Sequence, residues 1–426
     1  MGTSNSKRRS KSCVGTEEDT SIPYRYDVHQ SATILPSTST KMFVFGECKN
    51  QLGIGVTDNH VQSEPALIEH LQNHKIVKIC TGFVHSVALT LNGKVYTFGC
   101  GDDGKLGYIP GANSIDSSRP NLVTQLQNEF VVDVSAGYNH TMFLTRRGAV
   151  CGAGNNSYSQ LCCSQNFKSG TVQHALEYDR LQIIKIVCGY YHTILISATG
   201  KVYYKGKDSP DQDDLGEITS LNDQHIVSAG AGYSHTIFLT KRGQVYVYGD
   251  NSAGQLGLDE LVFHTIPKLL PNLEQIVSCD GGYYHTIFLS KDGSVYTAGS
   301  SQYGKLGIGL DDIFTHGATM LQEFGAKNMV ANSVSAGGYH SAVSTIDGKV
   351  FVFGHGSFGQ CGQGGNLDNF LTPVRVEAGG VNNLFFSQVS AGGWHTVLLE
   401  RSTGLFRRLS ISKSMLEKTT LNRLAF

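Results

Sequence analysis

One tryptophan, Trp394, stands in a chain of 426 residues. That scarcity excludes any chemistry built on clustered indoles. Charge is sparse too: Lys, Arg, Asp and Glu make up 16% of the residues against 40% hydrophobic ones, which suits a packed fold rather than a solvated coil. No apolar run approaches the roughly 20 residues that a membrane-spanning helix needs. The N-terminus lacks the apolar core of a secretory leader, so none is expected. Ten cysteines occur without any Cys-x-x-Cys pair, and Glu-x-x-His is absent, so zinc is not expected. Cys80, Cys151, Cys188 and Cys279 fall in predicted strands and read as buried, reduced thiols. Gly-x-x-x-x-Gly-Lys-Ser/Thr does not occur, which removes a nucleotide-cradling loop of that type.

Glycine is what the chain has in quantity, 50 residues, and its placement is periodic. A Gly-aromatic-x-His-Thr pattern, variably kept, surrounds His85, His140, His192, His235, His285, His340 and His395. Eight residues after each of the first six histidines stands Gly93, Gly148, Gly200, Gly243, Gly293 or Gly348. Six further on stands Gly99, Gly154, Gly206, Gly249, Gly299 or Gly354. A spacing of this length marks an array, solenoid or propeller. Runs such as Thr236-Ile-Phe-Leu-Thr240 and Gln244-Val-Tyr-Val-Tyr248 are β-branched and aromatic, hence strands. Asn92-Gly93, Asp292-Gly293 and Asp347-Gly348 join such runs as tight hairpins, whose central residues need positive φ. Each unit is therefore a small antiparallel sheet, and radial stacking of such sheets gives an all-β propeller.

The two end units are incomplete. Lys41-Met-Phe-Val-Phe-Gly46 is a second-half strand without a histidine box before it. His395 has no Val-Tyr-x-Phe-Gly strand after its turn near Thr403-Gly404. Pairing the two halves makes seven blades and removes two exposed sheet edges. The expected layout is a polar, disordered segment over 1–40 with a lipidation signal, a propeller over 41–404, and a basic tail over 405–426.

The histidine box, the hairpin, Val-Tyr-x-Phe-Gly and a closing Gly-Gln-Leu-Gly together resemble the regulator-of-chromosome-condensation repeat. Gly254-Gln-Leu-Gly257, Gly104-Lys-Leu-Gly107 and Gly304-Lys-Leu-Gly307 are good copies of that closing box; Gly359-Gln-Cys-Gly362 is fair. Asn50-Gln-Leu-Gly53 and Ser159-Gln-Leu-Cys162 are degraded, and unit four has only Asp213-Asp-Leu-Gly216. The resemblance implies a seven-bladed β-propeller, but not one activity. Its founder promotes nucleotide exchange on the GTPase Ran on chromatin; other members are ubiquitin-ligase parts, other exchange factors, or an ultraviolet-B photoreceptor. The photoreceptor needs clustered tryptophans, and Trp394 stands alone. A ligase needs a further catalytic domain, for which no residues are left over.

Seven equivalent histidines invite a catalytic or metal role. A catalytic base is needed once, in one asymmetric site, so a residue present in every unit belongs to the unit. The expectation is that the histidines hydrogen-bond backbone across strands, with no catalytic residue, metal or cofactor. The acidic cluster Asp208–Glu217 does not follow calcium-loop spacing and reads as a solvated loop.

The ends carry the positive charge. Residues 401–426 hold six basic and one acidic residue, whereas 41–400 hold 23 basic and 30 acidic, a poor surface for DNA phosphates. Gly2 with Ser6 fits a myristoylation signal, and Lys7, Arg8, Arg9 and Lys11 supply the basic patch that one acyl chain requires for stable attachment. Cys13 is a second acylation candidate, and Ser410 after Arg407-Arg408 resembles a basophilic kinase site. These features lead to a non-enzymatic protein-interaction propeller, cytoplasmic rather than nuclear, held at an anionic membrane face. The alternative is a guanine nucleotide exchange factor for a small GTPase, which needs no acid–base machinery.

Overall fold

The computed structural model describes residues 40–47, 51–55, 61–108, 116–163, 170–208, 216–325 and 329–401. Gly2, Lys7, Arg8, Arg9, Lys11, Cys13, Ser410 and the turn at Thr403-Gly404 lie outside the described residues.

Seven antiparallel sheets follow one another. Blade one is typical. Ile76–Thr81 is its inner strand, His85–Thr90 and Val95–Gly99 form the central hairpin, and Ser117–Leu122 is the outer strand. His140, His192, His235, His285 and His340 open the second strands of blades two to six. Among the described residues, six sheets have four strands; blade three has Ile183–Cys188, His192–Ser197 and Val202–Gly206, with an isolated bridge from Tyr203 to Glu217 at the place of a fourth.

The closing blade is assembled from both ends of the ring. Its inner pair is Phe386–Ala391 and His395–Glu400; Met42–Glu47 and Val61–Leu67 complete it. Met42 pairs with Leu399 and Gly46 with His395. The expected pairing of the half-units is what the sheet shows.

Register explains the fourteen-residue spacing. Each histidine sits directly across the hairpin from its second glycine, as in His85 with Gly99 and His285 with Gly299. Gly99 has φ +116°, and a Cβ there would lie 2.7 Å from His85 Cα and from Val84 O. Any side chain would push the hairpin apart at that point.

The core is divided among the interfaces. Ile237, Leu239, Val245 and Val247 of blade four meet Ile276, Cys279, Phe288 and Ala298 of blade five in one apolar cluster. The last interface repeats this: Met42, Val44 and Leu399 of the closing blade pack on Ile76, Ile79 and Phe98 of blade one. Each sheet thus buries both faces against its neighbours.

Candidate functional site: a histidine hub beneath an aromatic mouth

The hub is built from the first residues of the second strands. His85 Nε2 lies 2.8 Å from Thr141 Oγ1 of blade two, and His140 Nε2 lies 2.9 Å from Thr193 Oγ1 of blade three. The series continues through Thr236, Thr286, Ser341 and Thr396 at 2.8–3.0 Å. His395 Nε2 closes it on Ser86 of blade one at 2.9 Å. The partner of each histidine is therefore a hydroxyl on the next blade. The expected backbone partner across strands is replaced by an inter-blade staple, because the next hydroxyl is already seated on this blade.

That seating is visible in the closing boxes. Thr141 Oγ1 donates to Lys105 O at 2.7 Å, Thr286 Oγ1 to Gln255 O at 2.6 Å, and Thr396 Oγ1 to Gln360 O at 2.8 Å. A hydroxyl has one proton, and the box carbonyl takes it. The imidazole must then donate through Nε2, which leaves Nδ1 bare. Nδ1 of His85, His140, His235, His285, His340 and His395 is buried without a hydrogen-bond partner. All seven rings are at most 2% exposed. Burial drives the basicity of His140, His192, His340 and His395 down to about 3 and of His235 to about 4. Such rings are neutral props, out of reach of solvent and of any substrate proton.

Glycine three residues before each histidine makes room for the ring. A Cβ on Gly82 would stand 2.2 Å from His85 Cε1 and 2.4 Å from Gly137 O of the next blade. Inner strands are also laced side chain to backbone: Ser135 Oγ accepts from Cys188 N at 2.9 Å, Ser335 Oγ from Ala391 N at 3.0 Å and Ser390 Oγ from Thr81 N at 3.1 Å. Asp280 takes this role toward Ala336 N, and burial raises its carboxyl to about 6. Buried Asp133 is held between Lys78 and Lys185 of the flanking blades.

Directly above the histidines the loops present aromatic rings. Phe83, Tyr138, Tyr190, Tyr233, Tyr283, Tyr339 and Trp394 form a closed circuit. Successive centroids lie 4.7, 5.5, 5.3, 4.3, 5.4 and 4.9 Å apart, and Trp394 returns to Phe83 at 6.0 Å. Tyr190 also reaches Phe83 and Tyr283 at 5.7 Å. All seven are partly exposed. Burial first, then neighbouring tyrosines, raises Tyr190 well above the ordinary phenol value and Tyr191 to about 12, so these hydroxyls stay protonated. Sequence patterning placed an aromatic in the histidine box but gave it no task. Tyr303 and Phe358, which extend the surface outward against Tyr339 and Trp394, have no signal beyond their position in the glycine loops.

Around this mouth stand the loops that follow the second glycines. Over their described parts, residues 100–108, 155–163, 207–208, 250–263, 300–315 and 355–369, they carry nine carboxylates and three lysines. Lys105 and Lys305 are fully buried. Lys305 Nζ donates to Ser300 Oγ at 3.1 Å and Gln302 O at 3.3 Å, and burial lowers its amine to about 7. Cys100, Asp102 and Asp116 lie close enough to share an ion, but Lys105 Nζ is already 3.5 Å from Cys100 Sγ and fills the cationic role there. Among the described residues, no helix is long and apolar enough to cross a membrane.

Comparison with known proteins agrees with this architecture. The RCC1-like domain signature matches residues 41–398. The chain is similar to the ultraviolet-B receptor UVR8 of Arabidopsis thaliana, 30% identical over 176 residues, which cover 41% of this chain and 39% of that one. It is similar to the regulator of chromosome condensation of Mus musculus, 33% identical over 175 residues, 40% of this chain and 39% of that one. Each alignment spans about two fifths of the relative's length. Prp20p of Saccharomyces cerevisiae superposes with a TM-score of 0.75 at 22% identity, over 91% of this chain and 95% of that one.

Proposed function

The chain belongs to the family of RCC1-like domains, and from that footing we propose that it is a non-enzymatic interaction propeller that holds a protein partner across the aromatic face. One observation carries this reading. The seven histidines, the residues best suited to proton transfer by type and repetition, are all sealed into the hub, while the adjoining face exposes a circuit of rings. Partly exposed aromatics on a rigid scaffold are what protein interfaces use as anchors. Tethering by Gly2 with Lys7, Arg8, Arg9 and Lys11 to an anionic cytoplasmic membrane face belongs to the same proposal. It rests on the sequence pattern.

Nucleotide exchange on a small GTPase is the second reading. It is favoured by the likeness to the mouse regulator of chromosome condensation and to Prp20p, whose structure was described with its binding to Gsp1p and histones. An exchange factor needs only to bind the nucleotide-free partner more tightly than the loaded one.

Affinity capture of the full chain, with and without added GTP, separates the two. A GTPase that is captured and then released by GTP establishes exchange-type binding. Partners indifferent to GTP establish the scaffold. Capture of no specific partner under either condition overturns both. Gly2→Ala is expected to shift the protein from the membrane fraction to the soluble fraction; equal distribution of mutant and wild type removes the tether.

A further inference from the structure

We propose that the aromatic mouth receives an arginine-bearing, basic segment of a partner protein, a deepening that rests on the interaction-propeller reading above. The charge of the surrounding loops is one-sided, and Lys207 is their one lysine that is not fully buried over the described residues. Asp102 and Asp103 in blade one and Asp311 and Asp312 in blade five are among the rim carboxylates. Lysine amines already lie beside rings of this face: Lys207 Nζ is 6.0 Å over the Tyr191 ring, and Lys305 Nζ is 6.0 Å from that of Tyr339. Arginine suits both halves of such a surface, since its planar guanidinium stacks on aromatic faces and its fork pairs with carboxylates.

Other occupants fit less well. A second copy placed mouth to mouth would set one acidic rim against another. The chain's own Arg407 and Arg408 follow a strand that leads away from the mouth. The last strand runs from His395, beneath the mouth, to Glu400, which pairs with Phe386 at the far end of the blade.

Trp394 is the only tryptophan and lies in the circuit, so its emission reports on the mouth. The full chain would be titrated at low and at physiological salt with a ten-residue peptide of alternating arginine and glycine. A glutamate–glycine peptide of the same length is the control. The triple variant Asp103→Asn/Asp250→Asn/Asp312→Asn removes three rim charges gently. Asp103 and Asp312 have φ +59° and +54°, a region asparagine tolerates. At the place of Asp250, blade two has Asn155, which accepts from Ser157 N and Gln160 Nε2 as Asp250 does from Ser252 N and Gln255 Nε2.

The expected result is a saturable change in Trp394 emission with the arginine peptide alone, weakened by salt and weakened about tenfold or more in the triple variant. No saturable change, or equal binding by the triple variant, overturns the proposal. So does a change in the free chain's emission when Arg407 and Arg408 are both replaced by glutamine, because the mouth would then hold its own tail. Partners captured equally by wild type and triple variant would sink this proposal and leave the interaction propeller standing. Capture of none would sink the broader reading.

Discussion

The hub and the mouth are neighbours in the repeat, one or two residues apart along the chain, and they obey opposite rules. At the hub, histidine recurs seven times, each with a Thr or Ser hydroxyl of the next blade as partner, and six of the seven keep a bare Nδ1. Two positions earlier stand Phe83, Tyr138, Tyr190, Tyr233 and Tyr283, but then Gly338 and Gly393, with Tyr339 and Trp394 one residue later. The histidine is fixed by two fits at once, to its own box and to the next blade. The aromatic meets solvent on one side and needs only to fill its share of the circuit. One position is bound by the ring's geometry; the other is free to be shaped by what it touches outside.

Acid should break the hub first and most severely. An unfolded histidine binds a proton near pH 6.5, whereas burial lowers folded His140, His192, His235, His340 and His395 to about 3–4 and holds His85 and His285 well below the ordinary value. Between those values the unfolded chain holds more protons, so stability falls as pH falls, by about 1.4 kcal/mol per pH unit for each histidine. Asp280, raised to about 6, works in the opposite direction, but it is one group against seven. Denaturant midpoints measured from pH 7.5 to 5 are expected to drop steeply. A flat profile would mean that the rings are protonated in the folded state.

Removing one hydroxyl should cost less, and the cost should be shared by two blades. Thr286→Val orphans His235 Nε2 and Gln255 O together and is expected to lower stability by about 2–3 kcal/mol. In a double-mutant cycle with His235→Phe the two losses should fall well short of adding. Strict additivity would show that the staple is geometric only.

Lys305→Gln tests the box from the other side. Gln255 and Gln360 occupy the same place in neighbouring blades, and the lysine amine is held near neutrality by burial. Its folded value lies below its unfolded one, so its cost is largest at and below pH 7 and fades as pH rises toward 10. The variant should therefore gain about 1 kcal/mol at pH 7 and nothing at pH 10, read from urea midpoints at both.

The smallest effect on stability belongs to the mouth. Tyr303→Leu, whose ring is partly exposed beside Tyr339 and His355, is expected to change stability by less than about 1 kcal/mol while weakening partner capture. A loss of stability matching the staple variants would erase the distinction between the two regions.

Much of this was legible in the chain. The intervals of eight and fourteen residues encode the hairpin and the glycine opposite each histidine, because both lie within a single blade. The half-units at either end encoded closure, since a strand of Met42-Phe-Val-Phe character has no stable place unpaired. What did not show was everything between blades. His85 and Thr141 are 56 residues apart, and His395 and Ser86 are 309 apart, so no local pattern joins them. The histidine and the threonine were each visible, but the staple is formed by residues of different repeats. The same holds for the aromatic circuit and the acidic rim, which appear only when seven separate loops are brought to one face.

The closing blade also sets a timetable. Met42–Glu47 leaves the ribosome well before its partner strand, which ends at Glu400. About 350 residues of synthesis separate them, which at roughly 5–20 residues per second is about 20–70 s. For that interval Phe43 and Phe45 lack the cluster that buries them against Phe386 and Leu398. Every new copy of the protein thus passes through a period with one apolar strand waiting until the last blade arrives.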